Sequence, residues 1–395
     1  MTGKPAGLVQ GWVLVATAWL AVIATSLIAP VLPRMAEHFA GVPNGADLIQ
    51  LTVALPALFV ALFAGIIGVF ADKIGRKVVL LVALVAYGVF GMAPLFIDSL
   101  PLILLTRCGV GIAEAAVMTA GTAMLGDYYR GASRERWFAI QMGSANLIAV
   151  AVLALGGALG EISWRAPFGV YALPFLLTVL VLFLTWEPTR APGPARGELK
   201  LPANSSDGEP LKLSRLLVTC AVTLFGSMAF YVVVVQFSFI LTARGYGSPA
   251  LIGIGASAAA VAVPIGSALF RVLAKASVAA KLAVAFAIAA VGFVLIAFAT
   301  SYPMIVIGAA INGLGCGIYL PTLLTWAVAG LRPEERGRGS GAWQTAFFLG
   351  QFLSPISVIG LANVLGAASK AVLFYAVLTG IAAIVALFST THRKA

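Results

Sequence analysis

Runs of about 20 mostly apolar residues, the length a helix needs to cross a bilayer, recur along almost the whole chain and leave little of it for anything else. They fall near residues 9–33, 47–71, 78–97, 101–127, 138–160 and 167–186, then near 214–242, 250–271, 281–299, 303–330, 341–365 and 370–390. Hydrocarbon offers no partner to a free N–H or C=O, so each run is predicted to be helical. Only 10% of the 395 residues are charged, against roughly 25% in a soluble domain. The expected class is an all-α membrane protein. The first run is too long for the core of a cleavable signal peptide and has no small-residue exit, so it is read as the first span.

The longest polar stretch, residues 187–213, carries five prolines, several charges and Asn204-Ser205-Ser206-Asp207. It reads as a flexible linker. The chain then divides into a six-helix bundle at 1–186, the linker at 187–213 and a second six-helix bundle at 214–395. The halves look like weak repeats: Gly109-Val110-Gly111 precedes the basic loop Arg130/Arg134/Arg136, and Gly313-Leu314-Gly315 precedes Arg332/Arg336/Arg338. Lys and Arg set orientation. With the N-terminus inside, nearly all the basic loops face the cytoplasm, and Arg34, Arg165, Arg244 and Lys370 are left on the other side. Both termini are therefore expected to be cytoplasmic.

That asymmetry accounts for the net charge of +11 without a nucleic-acid partner, which would need a basic face on a soluble domain. Cys108, Cys220 and Cys316 lie in apolar runs without CxxC spacing, which argues against a disulfide framework or a zinc site. His38 and His392 sit outside the apolar runs. No metal and no cofactor are expected. An intramembrane enzyme would need a Ser/His pair, paired acids or a metal cluster at one depth, and no such group is present, so the chain is not expected to be an enzyme.

Between the second and third spans runs Gly68-x-x-x-Asp72-Lys73-x-Gly75-Arg76-Lys77. This resembles the signature of the major facilitator superfamily at every defined position and in the expected loop, and the span count, linker and inside termini agree with it. The resemblance implies a fold of 12 transmembrane helices in two pseudo-symmetric six-helix bundles, a monomer, and placement in a bacterial cytoplasmic (inner) membrane. It also implies that Asp72 and Arg76 latch the halves together on the cytoplasmic side in the outward-facing state, with Asp127 a partner for Arg76. Gly68 is read as allowing close helix approach and Gly75 a tight turn. The second half keeps Gly266, Arg271 and Lys275 of this element but not its acid.

Two ionisable residues fall clearly within a predicted span: Arg107 and Glu114, on the fourth helix. Seven residues place them on one face, about 10.5 Å apart along the axis. A mid-membrane carboxyl is costly and marks a functional site by default. As the halves rock it alternates between wet and dry surroundings, so Glu114 is the expected proton carrier and Arg107 its modulator or an anion contact. The structural alternative is a neutral or Arg107-paired Glu that fixes helix packing.

Arg107-x-x-x-Gly111-x-x-Glu114-Ala115 is similar to the fourth helix of spinster-type lipid transporters and organic-anion symporters. This chain has Ala113 where those families have glycine, and Ala24-Thr25 where they carry an acidic–basic pair. Pro30-x-x-Pro33 and Arg107-x-x-x-Gly111 also resemble drug:proton antiporters. Helix 5 keeps that group's glycine pair, Gly156-Gly157, but lacks the Gly-Pro before it.

Candidate cavity residues are Asn146, Tyr231, Gln236, Asn312, Tyr319, Trp326, Gln344 and Gln351, each of which can instead serve as interhelical glue. With no charged residue in the second half's predicted spans except at their ends (Arg215, Arg271, Lys281 and Lys370), a hydrophobic or amphipathic substrate is expected. The expected function is proton-coupled export of a small amphipathic or hydrophobic compound by alternating access. The alternative is spinster-like movement of a lysolipid or organic anion, with Arg107 holding the head group.

Overall fold

The computed structural model describes residues 6–188 and 213–391. The linker expected at 187–213 lies outside them except for residues 187, 188 and 213, as do Lys4, His392, Arg393 and Lys394. Twelve helices long and apolar enough to span a membrane are present among the described residues: α1 Leu8–His38, α2 Gly45–Ile74, α3 Arg76–Leu95, α4 Leu100–Tyr128, α5 Gly131–Ile162 and α6 Ala166–Leu184. The second six are α7 Leu213–Ala243, α8 Pro249–Val272, α9 Val278–Phe298, α10 Tyr302–Val328, α11 Glu335–Leu365 and α12 Ala368–Ser389.

Local chemistry sets several of the boundaries. Proline stands in the first turn of α4, α8 and α10, where its missing N–H costs nothing. The hydroxyls of Ser248 and Ser277 cap α8 and α9 by accepting from Leu251 N at 3.3 Å and Ala280 N at 3.1 Å. Pro30 and Pro33 interrupt α1, which leaves regular helix after Ser26 and resumes as Leu32–His38. Helices α5 and α11 begin several residues before the predicted apolar runs. Their first turns carry Arg134 to Arg136 and Arg336 to Arg338, which are helical yet too polar to read as membrane.

The two halves repeat one packing plan. In the first, α4 packs on α2 and α3, and α1 on α5; in the second, α10 packs on α8 and α9, and α7 on α11. The most extensive packing between the halves is by two helix pairs, α5 with α8 and α11 with α2, which exchange under the same pseudo-two-fold relation. The tight crossing of α2 and α4 is at Gly111, where a Cβ would stand 2.5 Å from the Pro56 carbonyl oxygen. Gly68 does not play that part: a Cβ there would meet only Thr119, at an ordinary 3.7 Å. Because α9 starts at Val278, Lys281 is also helical and buried. Its Nζ reaches the Ala274 carbonyl at 3.3 Å and stands 4.9 Å from the Phe270 ring centre, the behaviour of a long cation near a helix end.

Candidate functional site

The two charges of α4 have different surroundings. Arg107 has no exposed surface; its Nη2 donates to the carbonyls of Phe90 (2.8 Å) and Gly91 (3.2 Å) on α3. The guanidinium carbon lies 5.3 Å from the ring centres of both Phe168 and Tyr171, within cation–π range. Glu114 is 3% exposed, and its Oε2 has no hydrogen-bond partner. No ion pair joins Arg107 to Glu114 among the described residues: the α3 carbonyls hold the guanidinium to the side, and two helical turns separate the pair. The Tyr171 ring beside Arg107 stacks in turn on Tyr87, with centres 5.5 Å apart. Tyr231, from α7 in the other half, faces Thr25 and Gln351.

A cavity of about 160 Å³ lies between α1, α5, α7, α8 and α10. Its wall is apolar, with Phe230 and Phe237 and many alanines and valines, and its polar side chains are Ser26, Asn146, Ser238 and Asn312. No acidic or basic residue lines it. Of the eight candidates from the sequence, Asn146 and Asn312 are on the wall. Asn146 binds only the Met142 carbonyl in its own helix, at 3.4 Å, and Asn312 the Ala289 carbonyl at 3.3 Å. The other six are not. Tyr319 is buried in the second half, its hydroxyl donating to the Gly226 carbonyl at 2.6 Å. Gln236 donates to Gln50 Oε1 at 2.7 Å, a buried bridge between α7 and α2. Gln351 is buried, and Trp326 and Gln344 are half-buried elsewhere.

At the face bearing the basic loops, Arg76 is shared by two carboxylates, Asp72 at 3.2 Å and Asp127. Gly75 takes φ 117°, open only to glycine without strain, and a Cβ there would press on the Glu187 carboxylate at 3.1 Å. That carboxylate accepts from Arg76 N (2.7 Å) and Lys77 N (2.8 Å), satisfying free donors at the start of α3. Lys77 Nζ donates to the carbonyls of Leu182 and Thr185 at 2.9 and 2.7 Å, while Lys73 is exposed. All of these partners belong to the first half. Sequence reading treated Glu187 as the start of the linker; nothing in its spacing marks it as a partner of the motif.

At the opposite face the halves meet. Glu161, near the end of α5, takes Arg34 at 2.9 Å on one oxygen; on the other it accepts from Ser248 Oγ at 2.5 Å and Ala250 N at 3.0 Å, both at the start of α8. One turn deeper the α5 and α8 backbones touch: a Cβ on Gly157 would lie 2.9 Å from Gly253 Cα. Ser257 Oγ on α8 donates to the Val150 carbonyl on α5 at 2.8 Å. Toward the basic-loop face the same helices separate, leaving Met142 and Leu147 (59% and 69% exposed) and Ile265 and Val272 (52% and 78%) uncovered. On the opposite face, beside this seam, Asp98 is shared by His38 (2.7 Å) and Arg165 (2.6 Å). The His38 hydrogen bond, then the Arg165 charge, hold its carboxyl below the ordinary aspartate value. Glu161 was not singled out from sequence because a Glu at a helix end reads as solvated.

A family model described as Major Facilitator Superfamily matches residues 14–355 and, separately, 281–395. The multidrug efflux protein YfmO of Bacillus subtilis (strain 168) is 25% identical over 346 residues, 87% of this chain and 84% of that protein. The class B tetracycline resistance protein of Escherichia coli is 31% identical over 164 residues, a match spanning 42% of this chain and 41% of the relative. Among solved structures, a bacterial homolog of the human lysosomal transporter Spinster, inward-facing and occupied, shares the fold. It superposes with a TM-score of 0.77 at 19% identity over 98% of this chain and 96% of that one.

Proposed function

Since this chain belongs to the Major Facilitator Superfamily and is a transporter, we propose that it exports a small, uncharged amphipathic or hydrophobic compound in exchange for protons. The observation that carries this reading is the pairing of a wall without charge and a lone acid. The cavity holds only amides, hydroxyls and apolar groups, and Glu114 lies buried with an unpartnered oxygen. An uncharged compound needs no ion pair to enter such a cavity, whereas an anion entering it would leave its charge unmatched. Glu114 is then the buried carboxyl of α4 available to take up and release a proton, since Arg107 is held by α3 carbonyls and aromatic faces and Asp127 lies at the helix end with Arg76.

The positive-inside rule assigns the basic-loop face to the cytoplasm, so the face closed by α5 and α8 is the outer one and the cavity communicates inward. The efflux and resistance names of the YfmO and tetracycline relatives support export. Asn146 and Asn312, one from each half, are proposed to hold the compound's polar group. The Asp72–Arg76–Asp127 cluster is proposed as the inner latch, poised on its own half until the cavity turns outward. Movement of a lysolipid or organic anion is the alternative, and it would need Arg107 to leave its carbonyl partners.

Proteoliposomes with an imposed proton gradient test the reading, after a thermal-stabilisation screen with the uncharged amphiphile chloramphenicol, the zwitterions tetracycline and norfloxacin, lysophosphatidylcholine and small organic acids. Uptake driven by the gradient should be lost in Glu114→Gln while solute-for-solute exchange persists. Driven transport that survives the substitution unchanged removes Glu114 from the mechanism, and stabilisation by lysolipid or acids alone favours the alternative.

A further inference from the structure

We propose that Glu161 is the positioning residue that holds the two halves shut at the face opposite the basic loops. This rests on the halves moving against each other, as proposed above, and not on Glu114 or on the substrate. Each carboxylate oxygen serves a different half. Oε2 pairs with Arg34 at 2.9 Å, and Arg34 also donates to the Gly160 carbonyl at 2.7 Å, which fixes the end of α5 to α1. Oε1 crosses the seam to Ser248 Oγ at 2.5 Å and Ala250 N at 3.0 Å.

The second set of partners makes the charge matter. The opening turn of α8 has backbone N–H groups with no partner inside the helix, and the helix dipole favours an anion there. Ser248 is itself the cap of α8, so one carboxylate engages both the cap and the first turn. Hydrogen bonds to a charged group are worth more than neutral ones. Beneath them the Gly157–Gly253 contact brings the α5 and α8 backbones together, leaving no slack for the carboxylate to follow α8. A small rotation of α8 away from α5 would break both bonds at once. The seam is therefore a switch with two states: Glu161 seated on α8, or Glu161 left with Arg34 alone.

Double electron–electron resonance on the full chain in lipid nanodiscs tests this. The background replaces Cys108, Cys220 and Cys316 by alanine. Spin labels go at Ala40 and Thr300 for the opposite face and at Ala132 and Ala274 for the basic-loop face, all four exposed. Glu161→Gln and Ser248→Ala are each expected to move the population from the short to the long Ala40–Thr300 distance, with the reverse at Ala132–Ala274. For Glu161→Gln the population ratio should change about tenfold, given the strength of charged hydrogen bonds. A residue that merely stabilised its own helix would lower the melting temperature and leave both distributions alone, and that result in both variants overturns the proposal. If the wild-type distances respond to acidification but not to either substitution, the Glu161 assignment fails and the rocking of the halves stands. If neither pair moves under any of these conditions, the rocking itself fails and the proposal falls with it.

Discussion

Helices α4 and α10 occupy matching places in the two halves, and aligning Gly111 with Gly315 puts Ile311 and Ile318 where α4 has Arg107 and Glu114. The buried polar groups of α10, Asn312 and Tyr319, are satisfied by backbone carbonyls; Glu114 keeps an oxygen without a partner. The basic loops differ in the same direction. Asp72 gathers Arg76 in the first half, whereas the corresponding place in the second is Phe270, whose ring receives Lys281. The matching helices α4 and α10 thus carry buried charge in the first half and none in the second. Helix α10 packs in its half without charge at these positions, so the helical plan by itself does not require it there.

The largest expected break in this contrast comes from Arg107→Ala. It strands the Phe90 and Gly91 carbonyls and empties the slot between Phe168 and Tyr171, and should cost about 3 kcal/mol for the unpaired acceptors and the cavity left behind. Thermal melting of the purified protein would show it. Ile311→Ala should cost less, and equal losses would mean that the charge is not what distinguishes the two helices.

Smaller effects are expected at the basic loops. Asp127→Asn should lower stability by about 1 kcal/mol or less, because its side chain is 37% exposed and solvent screens such pairs. Asp72→Asn should cost less still, at 54% exposed. Denaturation of the two variants side by side checks that order, and a larger loss at Asp72 would shift the centre of the cluster. The smallest effect belongs to Phe270→Leu, about 0.5 kcal/mol for the lost cation–π contact. A loss as large as that of Asp127→Asn would show that the second half's loop is held as firmly as the first's.

The architecture was readable from sequence because its determinant is one-dimensional: uninterrupted apolar length. The early starts of α5 and α11 were not, since a polar helical turn outside the membrane has no hydropathy signature. Glu114 and Arg107 stood out because a charge in an apolar run is conspicuous, but which carbonyls would hold the guanidinium depends on how α3 lies against α4. Asn146 and Asn312 were named with six others, and only the meeting of five helices separates the wall from the glue. Glu161 and Glu187 were hidden for the same reason. An acid at a helix end reads alike whether it faces water or another helix, and their partners lie 87 and 111 residues away along the chain.

The contact between Gly157 and Gly253 also bears on how such a protein could change over generations. Alanine at either place would act as a one-carbon wedge, too small to unfold a helix and too large for the seam. If the halves rock as proposed, such a change would alter the fraction of time each side stands open, trading turnover against leak.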